Sequence, residues 1–437
     1  MLLIYSILFF LAWPLVFLAF VWKYGLRKSL RGLPERFGWG GPWPEKTGAL
    51  WVHAASVGEV RAAEQLLRAL PARFQGVPRF LTTTTVNGKD LAVRLALAET
   101  VRLAPVDRPG VFRAALRRVQ PRCVVLVETE LWPHWLDVLA REKIPAAVVN
   151  GRVSDGAYPL YRALKKLWSP LLSTLARVGV QSPRNAARFL ALGADARRVV
   201  ITGNLKNDVP LPDPARIPAL KKAYGFADGD PVWVMGSTQP AEEPLLRDVL
   251  TALRKNHPAL KAVVAPRRIE RAAETRRRFE EAGYSCALRS QLSSVVPAPE
   301  VLVLDTVGEL AEIYGVATVA FVGGSLVRRG GQNPLEPARW GVPVVYGPSM
   351  ENFREIDDAL RAAGGARVAA DGEALRAVVD RWLATPLERG GAGAAARSVA
   401  DGERGALEDN LRLIEETLTF SPDEIRPRRA PCAGCPS

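Results

Sequence analysis

A chain of 437 residues is too long for one ordinary hydrophobic core, so two domains are expected, and 48% apolar with 24% charged residues exclude a disordered chain. A formal charge of +14 points to an anionic partner (a membrane surface, a phosphorylated substrate or nucleic acid), although many arginines stand among alanines and glycines, where compositional bias gives the same excess. Four cysteines in a chain of this length exclude a disulfide framework.

The first element is apolar. Leu2 to Val21 carries no charged side chain and is long enough to cross a bilayer. Pro14 is tolerated inside such a helix. Trp22 and Tyr24 follow at interface depth, then Lys23, Arg27, Lys28, Arg31 and Arg36, so the positive-inside rule places the body in the cytoplasm. There is no basic leader and no Ala-x-Ala site, which argues against a cleaved signal peptide. The expectation is an uncleaved anchor over 1–24, either spanning or lying in one leaflet of the inner (plasma) membrane, with the body on its cytoplasmic side.

From Trp51 onward strand-like and helix-like runs alternate. Strands are predicted over 49–54, 79–84, 101–104, 123–127, 146–150, 177–181 and 199–202, and helices over 60–70, 88–98, 111–119 and 131–142, with a long amphipathic helix over 158–175. This is βαβ order, hence a parallel sheet covered on both faces. A proline-rich stretch between Asp208 and Pro218 reads as a linker. The pattern then restarts, with strands over 232–235, 261–265, 301–304, 318–322 and 342–346 and helices over 245–256, 269–282 and 307–314. The predicted architecture is α/β: two doubly wound Rossmann-like domains, 25–208 and 219–420, joined by the linker 209–218 and facing each other across a cleft. An N-terminal membrane helix precedes them and a disordered tail, 421–437, follows.

Ligands of such sheets lie at the C-terminal ends of strands, so polar residues just past a strand are the candidates. Glu59 ends Trp51-Val52-His53-Ala54-Ala55-Ser56-Val57-Gly58-Glu59 at the start of a helix. There it can act as a general base on a hydroxyl or simply complement the helix dipole. Glu128-Thr129-Glu130 follows a second buried strand; two carboxylates there are harder to dismiss as solvated charge, their plainer role being to hold the turn. Lys206 falls just before the linker. In the second half Ser237 and Thr238, Pro266 and Arg267, and Asp305-Thr306-Val307-Gly308-Glu309 end strands. Gly323-Gly324 opens a loop through Arg328, Arg329, Gly330 and Gly331 into Asn333-Pro334-Leu335-Glu336. Pro334 suits a first helical turn, such a helix start accommodates a phosphate, and Glu336 is placed for ribose hydroxyls. A βα turn without ligand has the same pattern. Arg267 suits a phosphate or carboxylate, and Gly308 with Glu309 a base or ribose. No His/Asp/Cys cluster has metal-ligand spacing among the three histidines, His53, His134 and His257, so no metal is expected. Asp228-Gly229-Asp230 reads as a turn, and Cys432 with Cys435 as incidental. No arginine-rich arm with interleaved aromatics supports nucleic acid.

Taken together, HAASVGE (53–59), ETELWP (128–133), GNLK (203–206), APR (265–267), DTVGEL (305–310) and FVGGSLVRRGGQNPLEPA (321–338) resemble, in this order and at these separations, the 3-deoxy-D-manno-octulosonic acid (Kdo) transferases, glycosyltransferase family 30. The resemblance runs from the anchor to about Leu418. It implies a GT-B fold and an inverting transfer of Kdo from CMP-Kdo to the 6′-hydroxyl of a tetraacylated lipid A precursor, lipid IVA, in lipopolysaccharide synthesis, with no metal or other cofactor. It also implies that Glu59 is the base and that Glu130 and Lys206 stabilise the transition state. Pro266, Arg267, Val307, Gly308, Glu309, Asn333, Pro334, Leu335 and Glu336 match the CMP-binding segments; Ser237, Thr238 and Gly324, on neighbouring strand ends, are read as further donor contacts. Three positions depart from the family: Gln239, Arg268 and Gln332 stand where it usually has His. Glutamine keeps a hydrogen bond but cannot titrate. Other readings of the same residues are a GT-B transferase with a different nucleotide-sugar donor and an inactive, membrane-anchored lipid-binding relative. The expected partners are the lipid and the CMP-sugar, not nucleic acid, and oligomeric state leaves no signal in the sequence.

Overall fold

The structure is a computed structural model that describes residues 1–7, 9–11, 22, 31–292 and 299–425. It divides into two compact units, Met1–Asp208 with Arg404–Ser437, and Val209–Glu403.

The first unit is built on seven strands: β1 (Leu50–His53), β2 (Arg79–Thr83), β3 (Thr100–Leu103), β4 (Cys123–Val127), β5 (Ala146–Gly151), β6 (Arg177–Val180) and β7 (Val199–Ile201). Their order is β3-β2-β1-β4-β5-β6-β7 and every neighbouring pair is parallel. The run CVVLV of β4 is buried at every position, as a strand covered on both faces requires. Successive side chains feed opposite cores: Trp51, Phe80, Val124, Leu126 and Val148 lie in one, Leu50, Val52, Leu81, Val125 and Val149 in the other. The first core is aromatic, with Phe112 stacked on Trp135 at 4.4 Å. Strand order reverses between β1 and β4, so the ligand crevice of this sheet is expected past their C-terminal ends.

Several boundaries differ from the sequence reading. The single helix expected over 158–175 is two, Tyr158–Ala163 and Lys165–Leu172; a tightened turn at Leu164 takes the Leu167 N–H at 2.8 Å, and Tyr161 stacks on Trp168 across it at 4.9 Å. The helix Ala406–Leu418 returns to the first unit, so the second ends at Glu403 rather than near 420. Its apolar stripe of Ala406, Leu411, Leu413 and Ile414 enters the core beneath β1, β4 and β5. The start of the expected disordered tail is ordered: Pro422–Glu424 form a 3-10 turn, and Phe420 and Ile425 pack with Ala176, while 426–437 lie outside the described residues.

At the N-terminus, residues 2–7 and 9–11 are helical. Tyr5 Oη donates to Asp107 Oδ2 at 2.8 Å, Ser6 Oγ is 2.8 Å from His134 Nε2, and Leu2 and Tyr5 pack on the first core. Most of the expected anchor, at 8, 12–21, 23 and 24, lies outside the described residues, as do Cys432 and Cys435. Among the described residues no helix is long and apolar enough to cross a membrane.

The second unit repeats the plan with β8 (Val232–Thr238), β9 (Lys261–Pro266), β10 (Cys286–Leu288), β11 (Val301–Val303), β12 (Val319–Val322), β13 (Val344–Tyr346) and β14 (Ala366–Val368). The order is β10-β11-β9-β8-β12-β13-β14, again parallel, with its reversal between β8 and β12. The helix expected over 307–314 contracts to Leu310–Ile313, because Gly308 takes a left-handed φ of 92° and keeps 305–309 a loop. Asp228–Asp230 is a turn, the Ala227 N–H donating to Asp230 Oδ2 at 2.9 Å.

Candidate active site

In the first unit the chemistry collects where strand order reverses. Past β1, small residues Ala54 and Ala55 lead to Ser56, the N-cap of the helix Val57–Ala62. The Glu59 N–H donates to Ser56 Oγ at 3.3 Å and Glu59 Oε2 accepts the Ser56 N–H at 2.7 Å, a reciprocal capping box. The dipole role foreseen for Glu59 is therefore real, and the same bonds fix its carboxyl at the strand end. Past β4, Glu128 adopts a left-handed φ of 58°, uncommon for a residue with a side chain and favoured where a turn must be sharp. Lys206 Nζ donates to Glu128 Oε1 at 3.0 Å. Glu130 Oε2 accepts the Trp132 indole N–H at 3.1 Å and lies 3.4 Å from His53 Nε2.

Burial, then the charge of Glu130 and more weakly that of Glu128, push the Glu59 carboxyl up to about 7, against the opposing pull of the Ser56 N–H. A carboxylate poised there accepts a proton at neutral pH far better than an exposed glutamate. The structure thus brings Glu59, Glu130 and Lys206 into one cluster. It adds Glu128, whose pairing with Lys206 exceeds its expected turn role, and His53, which the sequence reading counted but did not use. The signal for His53 was its place at the end of the strand that leads to Glu59.

In the second unit the ends of β8 and β12 are pressed together. A Cβ at Gly323 would lie 2.4 Å from Ser237 O, so only glycine permits this approach. Ser237 has a left-handed φ of 56° and Thr238 O accepts the Arg267 N–H at 3.0 Å, joining the ends of β8 and β9. The glycine loop is held by a carboxylate that the sequence reading missed. Buried Glu242 accepts the N–H groups of Gln239 (2.8 Å), Gly324 (2.8 Å), Ser325 (3.0 Å) and Leu326 (2.9 Å). The amides of Gly324 to Leu326 are therefore occupied by the protein itself.

The remaining predicted donor residues are more varied. Asn333 Oδ1 accepts the Leu335 N–H at 3.0 Å at the start of the single-turn helix Leu335–Ala338. Pro334 and Leu335 are buried, Leu335 in the core with Val322 and Tyr346. Burial holds the Glu336 carboxyl above its usual range while Arg339 and Arg267 oppose, which places the exposed Arg267 within electrostatic reach of Glu336. Pro266 ends β9. On the neighbouring loop Val307 is 82% exposed, Gly308 is exposed, and Glu309 pairs with Arg289 at 3.2 Å and with the Thr306 hydroxyl. Gln332 and Gln239 converge on Gly324: a Cβ there would have their amide nitrogens at 3.6 and 3.8 Å. An open pocket of about 700 Å³ lined by Arg328, Arg329, Gly330, Ser349, Glu351 and Asn352 adjoins this loop. Among the described residues no group of three or more His, Cys, Asp or Glu side chains could hold a metal ion.

Comparison with known proteins adds a family. The model described as "3-Deoxy-D-manno-octulosonic-acid transferase (kdotransferase)" matches residues 31–209. The chain is 34% identical over 419 residues to 3-deoxy-D-manno-octulosonic acid transferase of Bordetella pertussis, covering 91% of this chain and 96% of that protein. The Haemophilus influenzae enzyme of the same name is 31% identical over 395 residues, 88% of this chain and 91% of that protein. Among solved structures, a glycosyltransferase from Rickettsia africae has a similar fold, with TM-score 0.55, 14% identity, and coverage of 86% of this chain and 100% of that one. UDP-GlcNAc 2-epimerase from Neisseria meningitidis is equally similar, at TM-score 0.55, 14% identity, 86% and 100%.

Proposed function

The chain belongs to the 3-deoxy-D-manno-octulosonic acid (Kdo) transferase family and is a glycosyltransferase, and from that premise we propose that it moves Kdo from CMP-Kdo to the 6′-hydroxyl of a tetraacylated lipid A precursor in lipopolysaccharide synthesis. Glu59 takes the proton of the hydroxyl. The freed oxygen bonds to the anomeric carbon of Kdo as the bond from that carbon to the CMP phosphate breaks, and CMP leaves with the electron pair. Attack opposite the leaving group inverts the centre. Glu130 and Lys206 stabilise charge in the transition state. Pro266, Arg267, the 307–309 loop and Asn333 to Glu336 hold CMP, with Ser237, Thr238 and Gly324 beside them. No metal or cofactor takes part on this reading.

The observation that carries the reading is the capped, half-buried Glu59, with its carboxyl pushed up to about 7, at the reversal point of the first sheet. The apolar run 2–21 and the basic residues after it support a place on the cytoplasmic face of the inner membrane, where the anionic lipid acceptor is met. The test is transfer from CMP-Kdo, made in situ, to lipid IVA, read by mass spectrometry. Wild type should give the Kdo adduct, and Glu59→Gln should lose about 100-fold or more of the rate. Equal rates would remove Glu59 as the base. A second reading, a different sugar on the nucleotide, is favoured by Gln239 and Gln332 beside Gly324. Bound CMP without Kdo transfer would support it.

A further inference from the structure

We propose that His53 is a positioning residue for this reaction, its Nε2–H holding the Glu130 carboxylate in place beside Glu59. The proposal rests on Glu59 being the base.

His53 is fully buried at the end of β1, and its Nε2 has no hydrogen-bond partner in ordinary geometry. Its neighbour of opposite character is Glu130 Oε2 at 3.4 Å, beyond a normal hydrogen bond but well within reach of a directed charge–dipole attraction. The other side of the ring is fixed. Nδ1 lies 3.0 Å from Thr82 Oγ1 and 3.1 Å from Thr82 O, and Thr82 Oγ1 itself accepts the Trp51 indole N–H at 2.8 Å. With that indole donating in, the Thr82 hydroxyl hydrogen has His53 Nδ1 and, at 3.5 Å, Val52 O as acceptors, the nearer being Nδ1. A ring bare at Nε2 would set two acceptors face to face, whereas a hydrogen on Nε2 meets Glu130 at 3.4 Å in an off-line contact; on the other side Nδ1 has both a donor, the Thr82 hydroxyl, and an acceptor, Thr82 O, within reach. Trp135, 4.9 Å away ring to ring, closes the face of the imidazole. Trp51, Thr82 and His53 therefore form a rigid strut across β2 and β1 that ends on a carboxylate from β4.

The strut has a functional consequence because Glu130 is not an isolated charge. It is the largest charged contribution to the raised Glu59 carboxyl. The other groups facing the pair are Glu128, which is balanced by Lys206, the Ser56 N–H, the Trp132 indole and Tyr161, whose phenol burial and then Glu130 hold above its ordinary value. If Glu130 swings toward solvent, Glu59 loses a repulsive neighbour, titrates lower and becomes a weaker base.

The experiment compares His53→Asn with His53→Gln. Asparagine reaches only the Nδ1 position; glutamine carries its amide nitrogen toward the Nε2 position. Transfer is followed against pH with both substrates varied, and folding by thermal melts. For His53→Asn we expect kcat to fall about tenfold, KM for both substrates to stay within about twofold, and the acid limb of kcat to move below its wild-type pH. His53→Gln should recover most of kcat and the limb. A folded His53→Asn with the wild-type limb, or a folded His53→Gln no better than His53→Asn, overturns the proposal. If neither variant folds, Thr82→Val decides: loss of the hydroxyl should move the limb the same way, and an unmoved limb overturns the proposal. Glu59→Gln separates the two failures. If it is fully active the base assignment falls; if it is inactive while the limb stays put in the His53 or Thr82 variants, only the strut falls.

Discussion

At the scale of one residue, Glu59 is asked to do two things that conflict energetically. Its side chain closes the capping box, which any glutamate or glutamine can do, and as the proposed base it must become an anion where burial and Glu130 disfavour one. The folded pKa of about 7 stands above the ordinary glutamate value of 4.5. A raised folded pKa means stability that is complete below about 4.5 and is lost as pH rises through about 7. The wild type should thus be less stable at pH 8 than at pH 5, and Glu59→Gln, neutral at both, should flatten that difference. After discounting for solvent screening at the exposed edge, the gain at pH 8 is ~1–2 kcal/mol. Urea melts at the two pH values check it; an equal gain at pH 5 would trace the effect to packing instead of ionisation. Such a trade between stability and activity is what the proposed role as base entails. Glu59, Glu130 and Lys206 were legible in the sequence as candidates, because each follows a recognisable strand or motif; the structure adds that they lie in one cluster. The His53–Glu130 contact was not: a histidine in a buried run looks like any satisfied core histidine until β1 and β4 are known to be neighbours.

At the scale of elements, buried β-branched runs such as Cys123–Val127 and Lys261–Pro266 announced themselves, whereas three-residue edge strands such as Ala366–Val368 were too short to separate from loop. The glycine loop after β12 shows why motif and role come apart. It leads to a helix start that suits a phosphate in the sequence, and yet at Gly324 to Leu326 the amides are filled by Glu242, a residue more than eighty positions earlier. A sequence shows a glutamate at a helix start; it does not show which distant N–H groups it satisfies. The carboxylate acts as an internal anion that sets the loop before any donor arrives. Glu242→Gln must turn an NH₂ against one pair of these amides, and each lost charge-assisted bond costs about 1.5–3 kcal/mol. The expected result is a melting temperature lower by several degrees and a KM for CMP-Kdo raised about tenfold, with kcat less affected. Unchanged KM in a folded variant would detach this loop from donor binding.

At the scale of the whole molecule, the chain passes between its units twice, at 208/209 and again at 403/404. The two passages are clasped: Asp208 Oδ1 accepts the Gly405 N–H at 3.1 Å and Oδ2 the Leu407 N–H at 2.6 Å, capping the returning helix Ala406–Leu418. That helix completes the first unit. Ile414 is fully buried in its core, and buried Asn410 accepts the Asn150 N–H at 3.2 Å through Oδ1 while donating to Ala406 O at 2.7 Å. Asn150 Oδ1 in turn accepts the Leu205 N–H at 3.0 Å, one residue before Lys206. The last helix therefore supports, through two asparagines, the segment that carries a proposed catalytic lysine. Exposed pairs such as Arg177 with Glu416 add little beside this burial. Ending the chain after Glu403 would uncover the face of the first sheet and leave Asn150 without its partner, so the first unit should lose its cooperative melt while the second keeps its own. Ile414→Ala, a milder form of the same lesion, should cost about 2–5 kcal/mol. Asn410→Ala should cost about 1–3 kcal/mol through the unsatisfied Asn150 N–H and lower transfer as the Lys206 segment loosens. Calorimetry of the four proteins distinguishes the cases. If the truncated chain melts as the full one does, the helix is an appendage and its link to Lys206 is without consequence. If the first transition alone disappears, the helix Ala406–Leu418 is part of the cooperative fold of the first unit.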